Sequence, residues 1–151
     1  AELKVARRSL QGQGLDPSAR RLVEMVTSGS ASIAGLDDKL GSLRPGRPAD
    51  LVVFERREAD PWENVVRAEP AWVELVMIDG DLAYGSETRM LSLAGAQNTE
   101  HLDRVIAWGK PMLLDTSFRA AADDGDEPPP SLAALRAALI SQYPPVGPIF
   151  S

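Results

Sequence analysis

One histidine, no cysteine and 22 carboxylates in 151 residues restrict the chemistry this chain can perform. Hydrolytic zinc is typically held by two or three His, and a Ser-His-Asp triad needs one that is well placed. The single His101 stands three residues after Asn98, a spacing that fits no ligand motif, and is read as an exposed or capping residue. Zero Cys removes disulfides, thiolate metal sites and Cys nucleophiles. The notable carboxylates fall into two groups, Asp37-Asp38 with Asp50, and Asp123-Asp124-Gly125-Asp126-Glu127. A Ca²⁺ loop needs roughly six to eight oxygens in a D-x-D-x-D-G arrangement, which is absent. Asp50 is therefore expected to accept hydrogen bonds from turn backbone N–H groups, and Asp37-Asp38 to be solvated. The later cluster precedes three prolines and reads as a solvated linker. Ser28-Gly29-Ser30 lacks the G-x-S-x-G of a nucleophile elbow, and no phosphate-binding glycine motif occurs. Trp62, Trp72, Trp108 and Tyr84 could stack on a ring, but aromatics are only 5% of the chain, so core packing is the expectation. No catalytic, cofactor-binding or metal-ligating residue is assigned.

The totals narrow the partners. A net charge of -6 with scattered basic residues disfavours nucleic acid and anionic membranes, both of which need clustered Lys and Arg. No apolar run approaches the roughly 20 residues that span a bilayer. Residues 1–15 carry no apolar stretch of the signal-peptide kind. A cytoplasmic location is the expectation. The 44% hydrophobic content suits a globular core.

The elements that would position any site follow from periodicity. Leu3, Ala6 and Leu10 place Glu2–Leu10 in a helix that is already under way where the chain opens on Ala1, as in a piece of a longer protein. Asp16-Pro17 offers an N-cap and first helical position for a helix with Ala19, Leu22, Val23 and Val26 on one face. A short helix over Ser30–Ala34 stops at Gly35, and a turn-rich stretch leads to Leu51–Phe54, expected to be a strand buried on both faces. A helical turn is expected at Pro61–Val66. Trp72–Ile78 reads as a strand, Asp79-Gly80 as a hairpin turn, and Leu82–Tyr84 as the returning strand. Asn98 could cap a helix carrying Leu102, Val105 and Ile106 and closed by Gly109, with a short strand at Met112–Leu114. Residues 121–130 read as a linker, Ser131–Gln142 as a last helix, and Tyr143–Ser151 as an extended tail. Three or four strands make a sheet with unpaired edges, as though other strands came from elsewhere.

One stretch carries a resemblance. Thr27 with a small-residue helix and Gly35-Leu36 is followed by Gly41-Ser42-Leu43-Arg44-Pro45-Gly46, then Ala49-Asp50-Leu51-Val52-Val53, then Val73 and Val76-Met77-Ile78-Asp79-Gly80. In order and spacing this is similar to the C-terminal region of the amidohydrolase superfamily, in its cytosine-deaminase-like and chlorohydrolase-like branch. The match covers about residues 1–85 and departs from the pattern at Ser28-Gly29-Ser30-Ala31. Residues 86–151 match nothing recognised.

The resemblance implies a parent with a metal-dependent (β/α)8 barrel and a composite β-sandwich. The chain is then an α+β fragment: the last barrel helix in 1–40, C-terminal sandwich strands and hairpin in 41–85, and a helical C-terminal tail in 86–151. The implied activity is hydrolysis of carbon–nitrogen bonds other than peptide bonds, with zinc or iron held by the N-terminal remainder of the parent. No cofactor is expected in this chain. The implied partner is that remainder, and a homo-oligomer is expected. The alternative is a free-standing binding or assembly module without catalysis.

Overall fold

The computed structural model describes residues 2–95, 99, 102–115 and 131–145. Asn98, His101, the linker 121–130 and most of the expected extended tail lie outside the described residues. The fold is α+β, with a five-stranded antiparallel sheet. The chain divides into two compact units, Ala1–Leu82 and Ala83–Ser151.

In the first unit, α1 (Glu2–Gly12) is followed by α2 (Ala19–Val26) and α3 (Ser28–Ile33). The α2 face expected from the sequence forms the core. Leu22 is fully buried beside Ala19, Val23 and Val66, and Leu3, Ala6 and Leu10 of α1 pack against this cluster. Burying Leu22 alone contributes about 1.5–3 kcal/mol. The cap differs from expectation. Ser18 holds the N-terminus of α2 by accepting the Arg21 N–H at 3.2 Å, while Asp16 accepts from the Gln11 amide at 3.1 Å. A serine nearer the apolar face captures the free N–H groups, and the Asp-Pro pair stays in the link.

β1 (Leu51–Phe54) leads through 55–60 to α4 (Pro61–Arg67). Asp60 caps α4 with one carboxylate oxygen, Oδ1, which accepts from Trp62 N–H at 2.7 Å and Glu63 N–H at 3.0 Å. Pro61 sits at the start of the helix, where no N–H is needed. After a 3-10 turn at Pro70–Trp72, β2 (Val73–Ile78) and β3 (Asp81–Ser86) form the expected hairpin. Asp79 and Gly80 both take positive φ, 53° and 92°, as a two-residue hairpin turn requires. β1 pairs with β2 from Leu51↔Met77 to Phe54↔Val73. It is an edge strand, and Val52 is 47% exposed, so burial on both faces is not found. An all-apolar run marks a strand without fixing how many faces are covered.

In the second unit, α5 (Glu87–Ala94) buries Met90 and packs against β5 (Lys110–Asp115). The expected helix through Leu102–Ile106 is instead β4 (Leu102–Ala107), which pairs with β5 in all six positions. Trp108 and Gly109 take φ of 56° and 74° and close a second two-residue hairpin. The expected strand at Met112–Leu114 is the centre of β5. The strand order is β1-β2-β3-β5-β4, five strands where three or four were expected. α6 (Leu132–Gln142) begins at a Ser131 cap that accepts from Ala134 N–H, and Asp103 accepts the Leu132 N–H at 2.9 Å.

Candidate functional site

The turn at 41–50 lines two concave surfaces of the first unit. Gly41 has φ 81° and lies directly on α3. A Cβ there would stand 2.7 Å from the Ala31 Cβ, 3.0 Å from the Ser28 Cα and 3.0 Å from the Thr27 carbonyl oxygen. Only glycine meets both the positive φ and the close approach. Arg47 braces the turn from within, donating from Nη1 to the Ser42 hydroxyl at 2.7 Å and the Leu40 carbonyl at 3.2 Å. At the far end, Asp50 accepts the Asp79 N–H at 2.7 Å. Asp50 thus serves a turn N–H as expected, but that of the β2–β3 hairpin, which fixes the hairpin tip to the start of β1.

Between α3, this turn and β1 lies an open groove of about 600 Å³. Val26, Leu36, Leu40, Leu43, Leu51 and Val52 line it, with Lys39 and Asp50 supplying its charges. Beside it a polar hollow of about 380 Å³ gathers Ser28, Ser32, Asp37 and Asp38 with Arg44 and Arg47. The structure therefore separates the acidic residues that the sequence grouped. Asp37 and Asp38 share a hollow with two guanidinium groups, and Asp50 faces the other groove with an oxygen already engaged.

These residues do not fit a divalent metal. Among the described residues no group of three or more His, Cys, Asp or Glu could hold one, and guanidinium neighbours oppose a cation at Asp37-Asp38. Nor does the groove bring a nucleophile to a base. The Ser30 hydroxyl donates to the Thr27 carbonyl at 3.0 Å, and the Thr27 hydroxyl to the Val23 carbonyl at 2.8 Å, so both serve the helix ends. The groove can seat apolar chain.

The remaining strong polar groups are structural. Arg7 of α1 and Glu63 of α4 form a two-pronged ion pair, both contacts at 2.9 Å and partly buried. The hydrogen bonds from Arg7 are the main cause of the Glu63 carboxyl lying below its ordinary value, and they raise the guanidinium in turn. Burial raises the Tyr84 hydroxyl, against an opposing pull from Lys110. Asn64 is buried and ties down the 55–58 loop: its Oδ1 accepts from Arg57 N–H (2.7 Å) and Glu58 N–H (3.0 Å), and its Nδ2 donates to the Glu55 carbonyl (3.1 Å). Nothing in the local sequence singles out Asn64 or Arg47. Trp62 lies under Arg20 and Trp72 under Arg57, with the guanidinium carbons 5.7 and 5.1 Å from the ring centres. Trp108 is 65% exposed and Trp62 39%, so core packing describes neither.

No helix among the described residues is long and apolar enough to cross a membrane. The amidohydrolase family model matches residues 2–83, more than half of the chain, from the start of α1 into β3. No curated protein and no solved structure is similar to the chain at a significant level.

Proposed function

The chain belongs to the amidohydrolase family, and from that premise we propose that it is the C-terminal, supporting part of a hydrolase acting on carbon–nitrogen bonds other than peptide bonds. The cytosine-deaminase-like and chlorohydrolase-like branch is the one its turn and hairpin resemble. In this proposal α1 is the last helix of a (β/α)8 barrel. β1 and the β2–β3 hairpin are the C-terminal strands of a composite β-sandwich, and the remaining strands and the metal-bearing barrel come from an N-terminal remainder. The observation that carries the proposal is the span of the family match, which takes in these elements and the turn that links them. The apolar groove beside β1 supports it, as a surface suited to packing against further chain.

The role of these residues is then to hold the barrel's last helix against the sandwich. Gly41 lets the turn seat on α3, Arg47 keeps it closed, and Asp50 fixes the start of β1 to the hairpin. No chemical step is assigned to them. A zinc or iron ion, in this proposal, is held elsewhere in the parent. Metal analysis of the purified 151-residue chain after incubation with zinc or iron and dialysis tests this. Substoichiometric metal and no amidohydrolase turnover are expected, and one tightly held ion per chain on nitrogen ligands would overturn it. Residues 84–151 extend beyond the matched span. They carry the second proposal, a non-catalytic free-standing binding or assembly module, which predicts a chain that folds cooperatively and works without any N-terminal remainder.

A further inference from the structure

The hollow between α3 and the 41–47 turn carries charges of both signs that do not meet. Asp37, Asp38 and Arg44 line it and are exposed, and among the described residues none of their side chains has a hydrogen-bond or ion-pair partner. Elsewhere on the same unit neighbouring opposite charges do pair, as Arg7 with Glu63, Arg20 with Glu24 and Arg67 with Glu58. The second guanidinium of the hollow, Arg47, is occupied in holding the turn, with Nη1 on the Ser42 hydroxyl and the Leu40 carbonyl. The Ser28 and Ser32 hydroxyls, about one helical turn apart on α3, also line the hollow and have no partner among the described residues.

Single charges suit this hollow badly. A lone cation at Asp37-Asp38 is repelled by the guanidinium groups, and a lone anion at Arg44 by the carboxylates. A molecule that carries both charges a few ångströms apart meets attraction at each end. We propose that the hollow binds an aliphatic α-amino acid. Its ammonium lies at the Asp37 and Asp38 carboxylates, and its carboxylate at the Arg44 guanidinium, which can take it with two parallel N–H donors. The volume, about 380 Å³, is of the size that small molecules occupy. Leu40 selects the side chain: it lines both this hollow and the apolar groove beside β1, so a branched aliphatic chain laid along it passes from one into the other. The site lies wholly within residues 28–47 and needs no part of a parent protein. The charges concerned are exposed, so binding in the millimolar range is expected.

Titration of the ¹⁵N-labelled full chain with L-leucine at constant pH, followed by amide chemical shifts, tests this. Saturable shifts at Gly41 and Ser42 with a dissociation constant of about 1–10 mM are the expected result. Three analogues each lack one part of the ligand: 4-methylpentanoate the ammonium, 3-methylbutylamine the carboxylate, and glycine the side chain. Each should bind at least about threefold more weakly than leucine. Arg44→Gln, and Asp37→Asn with Asp38→Asn, should each weaken leucine by at least about threefold as well. These substitutions change exposed side chains, and unchanged amide shifts away from residues 28–47 check that each variant remains folded. The absence of a saturable shift below about 50 mM, or a loss smaller than about threefold for any analogue or either variant, would overturn the inference.

Discussion

Two glycines in one turn share a backbone conformation and differ in their surroundings, which makes them a matched pair. Gly41 has φ 81° and Gly46 φ 83°. A Cβ on Gly46 meets nothing within 4 Å, whereas one on Gly41 meets the Ala31 methyl at 2.7 Å and two atoms of the α3 start at 3.0 Å. Gly46→Ala therefore costs the left-handed conformation alone, about 1 kcal/mol. Gly41→Ala carries that cost plus overpacking against a methyl and backbone that cannot swing aside, about 1–3 kcal/mol more. The expected totals are about 1 and about 2–4 kcal/mol. Urea unfolding followed by far-UV circular dichroism reads both, with the unchanged slope showing that the unfolded states are comparable. If the two variants lose the same stability within about 0.5 kcal/mol, the turn is not seated on α3 as described.

Other substitutions probe the links around that turn and core. Asn64→Ala removes three hydrogen bonds from a buried position and should cost about 2–3 kcal/mol in the same urea assay; a loss below about 0.5 kcal/mol would make the loop contacts incidental. Asp60→Ala removes the α4 cap and should cost about 1 kcal/mol. Glu63 titrates below its ordinary value, so its pairing with Arg7 contributes stability that is complete above the unfolded carboxyl range and disappears as pH falls through the folded value. Glu63→Gln should cost about 1 kcal/mol at neutral pH, a modest figure because the pair is partly solvated, and the gap to wild type should close in acid. A gap independent of pH would assign the loss to packing.

The sequence was most legible where local chemistry and tertiary environment agree. Asp79-Gly80 marks its hairpin because those residue types relieve positive φ. Leu22 and its neighbours mark the α2 face because the helical period matches a single buried stripe. Leu102–Ala107 misleads for the opposite reason. Leu102, Val105, Ile106 and Gly109 fall at helical spacing with a glycine where a helix would end, and the strand's exposed Ile106 spoils any alternation of apolar and polar residues. The second hairpin turn puts a tryptophan at φ 56°, where asparagine or aspartate is usual, so its signature is hidden. Gly109 was a turn residue all the same, of a hairpin. α5 went unread because its eight residues carry one fully buried side chain, Met90, too few to set a period. At the candidate site the glycines of the turn were legible, but not what they approach. Ala31 lies ten positions from Gly41, and Asp79 lies 29 from Asp50, distances at which spacing carries no signal.

The proposal that these residues support a larger hydrolase meets its most direct test in an immunoblot of the native source extract, with an antibody raised against this chain. A barrel of about 250 residues together with the remaining sandwich strands would give a band at very roughly 45–50 kDa. That band is the predicted result. A lone band near 16.2 kDa, the mass of this chain, would contradict the proposal and leave the assembly module in its place.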